Sequence, residues 1–219
     1  MTNTFPNPHD YIIRQGIMLL ISSPSGAGKS TLARKLLETH SNIKLSVSYT
    51  TRSPRPNEVH GRDYYFCSLE EFKTMEGQGD FLETAKVFGN WYGTLKSPVK
   101  EALSAGYDVL FDIDWQGTQA LAQYMGERVV SIFVLPPSMR ELEKRLHTRS
   151  EDAKETINLR MSQATNEISH WAEYDYVIIN NKVEESMDGI NAILKAERLK
   201  RIRQRGLDDF ISALINEED

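Results

Sequence analysis

Apolar residues along this chain alternate between short unbroken runs and helical stripes. Ile17 to Ile21 is five apolar residues in succession, the mark of a strand buried on both faces. It enters a small-residue loop, Ser22 to Gly28, after which Leu32, Leu36 and Leu37 share one face of a predicted helix. Leu45 to Tyr49 reads as a second short strand. Val109 to Ile113 reads as another buried strand, and Val129 to Leu135 and Tyr176 to Ile179 read as further strands. Between them the signals are helical. Ser97 is placed to cap a helix with Pro98 in its first position and Gly106 at its end. A helix is expected over Gln116 to Met125. Ser138 caps another that reaches about His147. Beyond the charged break Arg149 to Lys154, one runs to about Ala172, and a last helical region extends to the C-terminus. Strands alternating with helices predict a parallel α/β sheet.

The stretch from Thr50 to Thr94 breaks this pattern. It is polar and aromatic, punctuated by Pro54, Pro56, Gly61, Gly77, Gly79, Gly89 and Gly93. Ser68 and Glu71 stand at capping-box spacing ahead of Phe72, which predicts one short helix. The segment reads as an inserted lobe, built partly of strands, that carries binding residues.

Composition narrows the function. A chain of 219 residues, 40% hydrophobic and 26% charged, can bury a sizeable core and suits one domain with inserted lobes. A net charge of -5 argues against a general nucleic-acid binder, so charges that handle phosphate must be local. Cys67 is the single cysteine, which excludes an intramolecular disulfide and reads as a small half-buried apolar side chain. One cysteine and five scattered histidines give no zinc spacing. No apolar run approaches the roughly 20 residues of a membrane helix. Residues 1 to 15 lack the apolar core of a signal peptide, so a cytoplasmic location is expected. Lys195 to Arg205 holds six basic residues in eleven. It reads as a solvated helix face beside the acidic tail Glu217 to Asp219.

The chemistry begins in the first loop. Ser23, Pro24, Ser25, Gly26, Ala27, Gly28, Lys29 and Ser30 match the P-loop pattern, with Ser23 where its first glycine stands. Small residues let backbone N–H groups curl around phosphates, and the following helix adds its positive dipole end. Lys29 can reach the β- and γ-phosphates, and Ser30 can ligate Mg²⁺. With Thr31 in the first helical turn, these residues are the candidate ATP site. A GTPase would carry an Asn-Lys-x-Asp motif, which this chain lacks. Asp112 ends a buried strand, where a carboxylate supporting Mg²⁺ commonly lies, although a structural role is also open. Arg52 and Arg55, three residues apart around Pro54, present forked donors suited to a phosphate. Tyr92 and Thr94 add hydroxyls.

At these residues the chain resembles the guanylate kinase family. The resemblance rests on the P-loop and on Ser48 to Arg55 (Ser-x-Thr-Thr-Arg-x-Pro-Arg). Glu58 to Tyr64, Phe88 to Gly93 (Phe-Gly-Asn-x-Tyr-Gly) and Asp112 to Gly117 (Asp-Ile-Asp-x-Gln-Gly) complete it. It implies an α/β fold with a P-loop NTPase core and parallel sheet, an inserted GMP-binding lobe and a lid. The implied divisions are an N-terminal extension (1–15), a kinase-like domain (16–203) and a C-terminal tail read as helical (204–219). Within the domain, the core takes 16–48, 96–147 and 156–203, the lobe 49–95 and the lid 148–155. The resemblance implies that Arg52, Arg55, Tyr64 and Tyr92 hold the GMP phosphate, and that Ser48, Glu83, Thr94 and Asp114 read guanine. It places Arg145, Arg149 and Arg160 at the transferring phosphates, and Asn180 near the adenine of ATP. Where the family has glycine after the second lid arginine, this chain has Ser150.

The implied reaction is transfer of the γ-phosphoryl group of MgATP to GMP, with dGMP use and a homo-oligomeric state left open. Nucleic acid and membrane are not expected partners. A phosphate acceptor is already deprotonated near neutral pH, so no general base is needed. Two other readings compete: a non-catalytic module of the same fold, which would lack a working P-loop, and a kinase for another nucleotide. Lys29 and Ser30 weigh against the first, and Glu83, Ser48 and Thr94 against the second.

Overall fold

The computed structural model describes residues 11–87, 89–149 and 154–216. In chain order the elements are β1 (Ile13–Arg14), β2 (Met18–Ser22), α1 (Lys29–Thr39), β3 (Ile43–Leu45), β4 (Tyr49–Thr50), β5 (Tyr65–Phe66) and α2 (Leu69–Gln78). Next come β6 (Phe81–Val87), β7 (Asn90–Leu95), α3 (Lys96–Ser104), β8 (Asp108–Asp112), α4 (Trp115–Met125) and β9 (Val129–Leu135). The chain continues with α5 (Met139–Arg149), α6 (Lys154–Ser169), β10 (Tyr176–Ile179), α7 (Val183–Arg198), β11 (Gln204–Arg205) and α8 (Leu207–Ile215).

The central sheet has five strands in the order β10-β9-β2-β8-β3, all neighbours parallel. Every residue of β2 is buried, because the period-2 pleat sends alternate residues into two different cores. Ile17, Leu19 and Ile21 pack with Leu32, Leu36, Ile190 and Leu194, which brings α1 and α7 onto one face. Met18 and Leu20 pack with Val99, Leu103, Phe111 and Leu121, which brings α3 and α4 onto the other. Because the strands are parallel, the loop after β2 and the Asp112–Asp114 turn after β8 leave the sheet at the same end. Ligands of open α/β sheets bind at that end.

The lobe forms a separate sheet in the order β5-β4-β7-β6, mixed in direction. The expected helix within it is α2, closed by a reciprocal capping box. The Glu71 N–H donates to Ser68 Oγ, and the Ser68 N–H donates to Glu71 Oε2 at 2.7 Å. Phe72 anchors α2 to the sheet, fully buried and stacked on Phe81 at 4.5 Å. Burial of that kind is worth about 1.5–3 kcal/mol. Among the described residues no helix is long and apolar enough to cross a membrane.

Four readings differ from expectation. Leu45 to Tyr49 is not one strand: β3 ends at Leu45 in the central sheet and β4 starts at Tyr49 in the lobe. Ser46 to Ser48 is the crossing between them, and a local apolar pattern cannot report a change of sheet. Ser97 does not cap α3, because the helix begins two residues earlier than expected, at Lys96 with Leu95 as its N-cap. Ser97 Oγ instead donates to Glu101 at 2.6 Å. Pro98 then sits inside the first turn, where its missing N–H costs nothing.

The basic stretch that begins in the last turn of α7 is not a simple solvated face. Arg198 reaches Asp108, which is fully buried at the start of β8, and Arg14 pairs with the other oxygen of the same carboxylate at 2.5 Å. Arg203 is 3% exposed and pairs with buried Glu197 at 2.9 Å. The final helical region is also interrupted, since β11 pairs antiparallel with β1 before α8 begins. Cys67 is half-buried, as expected.

Candidate active site

The phosphate loop is shaped by its glycines and by a distant asparagine. Gly28 is the N-cap of α1 and adopts φ 102°, a left-handed conformation that favours glycine. A Cβ there would come within 2.3 Å of Asn180 Nδ2. The close approach has a purpose, because Asn180 Nδ2 donates to the Ala27 carbonyl at 2.8 Å, while Ser186 Oγ donates to Asn180 Oδ1 at 3.0 Å. Asn180 is 3% exposed, so its amide fastens the loop to the end of β10. Arg145 on α5 bridges the same parts. Its guanidinium is held by Glu141 at 3.1 Å and donates to the carbonyls of Ala27 and Asn180. Gly26, Gly28, Thr31, Arg145, Asn180, Asn181 and Val183 surround a cavity of about 320 Å³ beside the loop.

Lys29 points to the other side. Its ammonium pairs with Asp112 and donates to the Ile113 carbonyl at 3.1 Å. Asp114 caps α4, accepting from the Gly117 N–H at 2.9 Å, which commits Oδ1. Ser22 ties the turn to β2 by donating to the Ile113 carbonyl at 3.0 Å. Ser30 is exposed at the start of α1.

The lobe supplies two clusters. In the first, Glu83 on β6 stands opposite Thr94 on β7 in the strand register. The Thr94 hydroxyl donates to Glu83 Oε1 at 2.9 Å, and Ser48 Oγ lies 3.3 Å from Thr94 Oγ1. Three of the four predicted base-reading residues therefore form one polar relay, and the fourth, Asp114, is near enough to act on it. Burial pushes the Glu83 carboxyl up to about 7, against the Thr94 hydrogen bond and with the Asp114 charge adding to the rise. Both hydroxyls are engaged within the relay.

In the second cluster Arg52 is gripped by Glu58 through two hydrogen bonds, at 2.9 and 2.8 Å, the bidentate fork that guanidinium and carboxylate favour. That pairing holds Glu58 below the ordinary carboxylate range and raises Arg52. Glu58 also accepts from the Arg55 N–H at 2.8 Å, while the Arg55 side chain remains exposed. Arg52 lies 5.4 Å from the centre of the Tyr64 ring, and Tyr64 meets Tyr92 edge to face at 5.9 Å. Burial raises the Tyr64 hydroxyl above its usual value.

The phosphate loop and the lobe face each other across a cleft of about 940 Å³. Its walls include Ser25, Lys29 and Ser30 from one side and Ser48, Arg55 and Tyr64 from the other, with Asp112 and Asp114 at its floor. Arg145 lines the smaller cavity instead, and Arg160 stands on α6 outside both linings. The Arg149 side chain, Phe88, and residues 150–153 of the predicted lid, Ser150 among them, lie outside the described residues. Two groups went unassigned in the sequence. Glu58 lies in the Glu58–Tyr64 motif, and only its grip on Arg52 gives it a role. Glu167 on α6 accepts from the Ser25 N–H at 3.2 Å. No local signal marks that contact across 142 positions.

The chain is similar to known proteins over nearly its whole length. The family model described as guanylate kinase matches residues 15–197. A guanylate kinase of Paramagnetospirillum magneticum is 53% identical over 214 residues, covering 98% of each chain. One of Bradyrhizobium diazoefficiens is 55% identical over 205 residues, covering 94% of each. A crystal structure of guanylate kinase from Anaplasma phagocytophilum superimposes with a TM-score of 0.78 at 42% identity, covering 94% of this chain and 99% of that one. With a phosphate loop facing the lobe across one cleft, and likeness of this extent across nearly the whole sequence, the chain belongs to the guanylate kinase family.

Proposed function

We propose that this chain transfers the γ-phosphoryl group of ATP to the phosphate of GMP, giving ADP and GDP, in the cleft between the phosphate loop and the lobe. The observation that carries the reading is the Glu83–Thr94–Ser48 relay opposite Lys29. Ser48 lines the same cleft as Lys29, so the relay connects a base-selecting carboxylate to the cavity of a phosphate-binding cation. Guanine offers N1–H and N2–H₂ as donors, which Glu83 can accept, whereas adenine offers a bare acceptor at N1. A carboxylate facing adenine would stay unpaired, at a cost of about 1–3 kcal/mol or more.

The residues divide the work. Arg52, Arg55, Tyr64 and Tyr92 hold the acceptor phosphate, and Glu58 keeps the Arg52 fork oriented before substrate arrives. Lys29 neutralises charge on the transferring group, with Arg145, Arg149 and Arg160 approaching from α5 and α6. Phosphoryl transfer involves little covalent chemistry for the protein, so positioning and charge neutralisation dominate. The donors beside the loop are hard oxygens, the Ser30 hydroxyl and the Asp112 carboxylate. This set suits Mg²⁺, which prefers one or two protein oxygens plus phosphate and water. When bound, the ion supplies charge neutralisation on the β- and γ-phosphate oxygens. The Lys29–Asp112 contact holds the lysine at the mouth of the loop until phosphate competes for it. Reliance on ATP suits a cytoplasmic setting.

A coupled assay with MgATP and GMP, dGMP, AMP, CMP and UMP tests the proposal. GMP should be phosphorylated most efficiently by a wide margin. Equal rates across the bases would overturn the base assignment.

A further inference from the structure

Successive backbone N–H groups of a phosphate loop form a nest for anions. In this protein one of them already holds an anion. The Ser25 N–H donates to Glu167 Oε2, and Glu167 lines the same cleft as Lys29, Asp112 and Asp114. Its carboxyl is raised by burial, while the Ser25 hydrogen bond and the Lys29 charge favour the ionised form.

The position is fixed by packing. Helix α6 lies against the loop through a buried cluster in which its Ile157 and Ala164 meet Ala27, Leu142 and Leu146. Glu167 follows Ala164 by three residues and Arg160 by seven, so these residues share one stripe of the helix. Two turns of α6, about 10.5 Å, separate the carboxylate from that guanidinium.

Resting on the reading that the loop takes ATP, we propose that Glu167 is an affinity-determining residue for the triphosphate. Its carboxylate stands in for a phosphate oxygen on the Ser25 N–H in the ligand-free enzyme and must leave as ATP enters. The loop amide is thereby satisfied without nucleotide. An incoming anion has to displace a charge of its own sign, which weak single phosphates do less well than a triphosphate that also engages Lys29. A carboxylate and a phosphate oxygen cannot share one N–H at hydrogen-bond distance. Removing the charge therefore favours the nucleotide.

The test is calorimetric titration of the full chain with metal-free ATP, inorganic tripolyphosphate and GMP. Glu167→Gln keeps the side-chain size and removes the charge. ATP and tripolyphosphate should bind about fivefold tighter or more, from like-charge repulsion at close range. GMP affinity should change less than about twofold, and in steady state KM for ATP should fall while KM for GMP does not. Glu167→Ala should shift ATP binding in the same direction, which covers a failure of the glutamine variant to fold. Unchanged or weaker ATP binding in the folded variants overturns the proposal. Lys29→Ala separates the two layers. If it leaves ATP binding unchanged, the loop does not take ATP and both readings fall. If it weakens ATP binding and Glu167→Gln does not tighten it, only the role of Glu167 falls.

Discussion

A Glu83 carboxyl lifted to about 7 makes guanine binding sensitive to pH in the neutral range. The ionised form accepts from guanine N1–H and N2–H₂, and the protonated form has lost an acceptor. If only the ionised form binds, apparent affinity scales with its population. At pH 6 about one-tenth of the ligand-free protein is ionised and at pH 8 about nine-tenths, so affinity should improve about tenfold between them. Guanosine is the ligand of choice because it lacks the phosphate of GMP, whose own second ionisation falls in the same range. The measurement is a series of calorimetric titrations from pH 5.5 to 8.5. Glu83→Gln should bind more weakly and show no slope. Asp114→Asn keeps the helix cap, since asparagine caps as well as aspartate. It removes a neighbouring negative charge, so the midpoint should move to lower pH. A flat wild-type profile, or the same slope in Glu83→Gln, would refute the reasoning. The sign for folding is opposite to that for binding. The folded protein holds a proton that the unfolded chain releases near 4.5, so this group makes stability fall as pH rises from about 4.5 through about 7.

Other expectations follow from the same geometry. Lys29→Ala should lower kcat by about a hundredfold or more, because the transferring group loses its cation, while calorimetry shows GMP affinity within about twofold. Arg52→Ala should weaken GMP binding about tenfold or more, the value of a charge-assisted hydrogen bond, and leave guanosine binding unchanged. Equal losses for both ligands would assign Arg52 to the fold. Asp108→Ala leaves Arg14 and Arg198 without their shared carboxylate. Chemical denaturation should show a loss of about 3–5 kcal/mol, with KM for GMP unaltered.

Much of this protein was determined locally by its sequence. The limits of β9 and β10 coincide with the largely apolar runs Val129–Leu135 and Tyr176–Ile179; β9 is buried on both faces, whereas β10 is an edge strand that leaves Val177 and Ile179 exposed. The α2 capping box and the Ser138 cap of α5 are three-residue relations that any reading of the chain can find. The phosphate loop is legible for the same reason, since its chemistry lies in eight consecutive residues. The base-reading residues were reached through family motifs, and the strand register of β6 and β7 was needed to turn Ser48, Glu83 and Thr94 into one relay.

What only the tertiary structure decided involves partners far apart in sequence. Arg198 and Arg203 turn inward because Asp108 and Glu197 are buried there, a fact that a run of basic residues cannot carry. The apolar run Leu45–Tyr49 divides because the chain changes sheets within it. Ser97 yields its cap position because β7 continues to Leu95 before the helix starts. Asn180 and Glu167 meet the phosphate loop across 153 and 142 positions. Contacts of that span depend on how the strands are ordered and how α6 packs on Ala27. Local periodicity sets which residues are buried, but chain topology sets which of them meet.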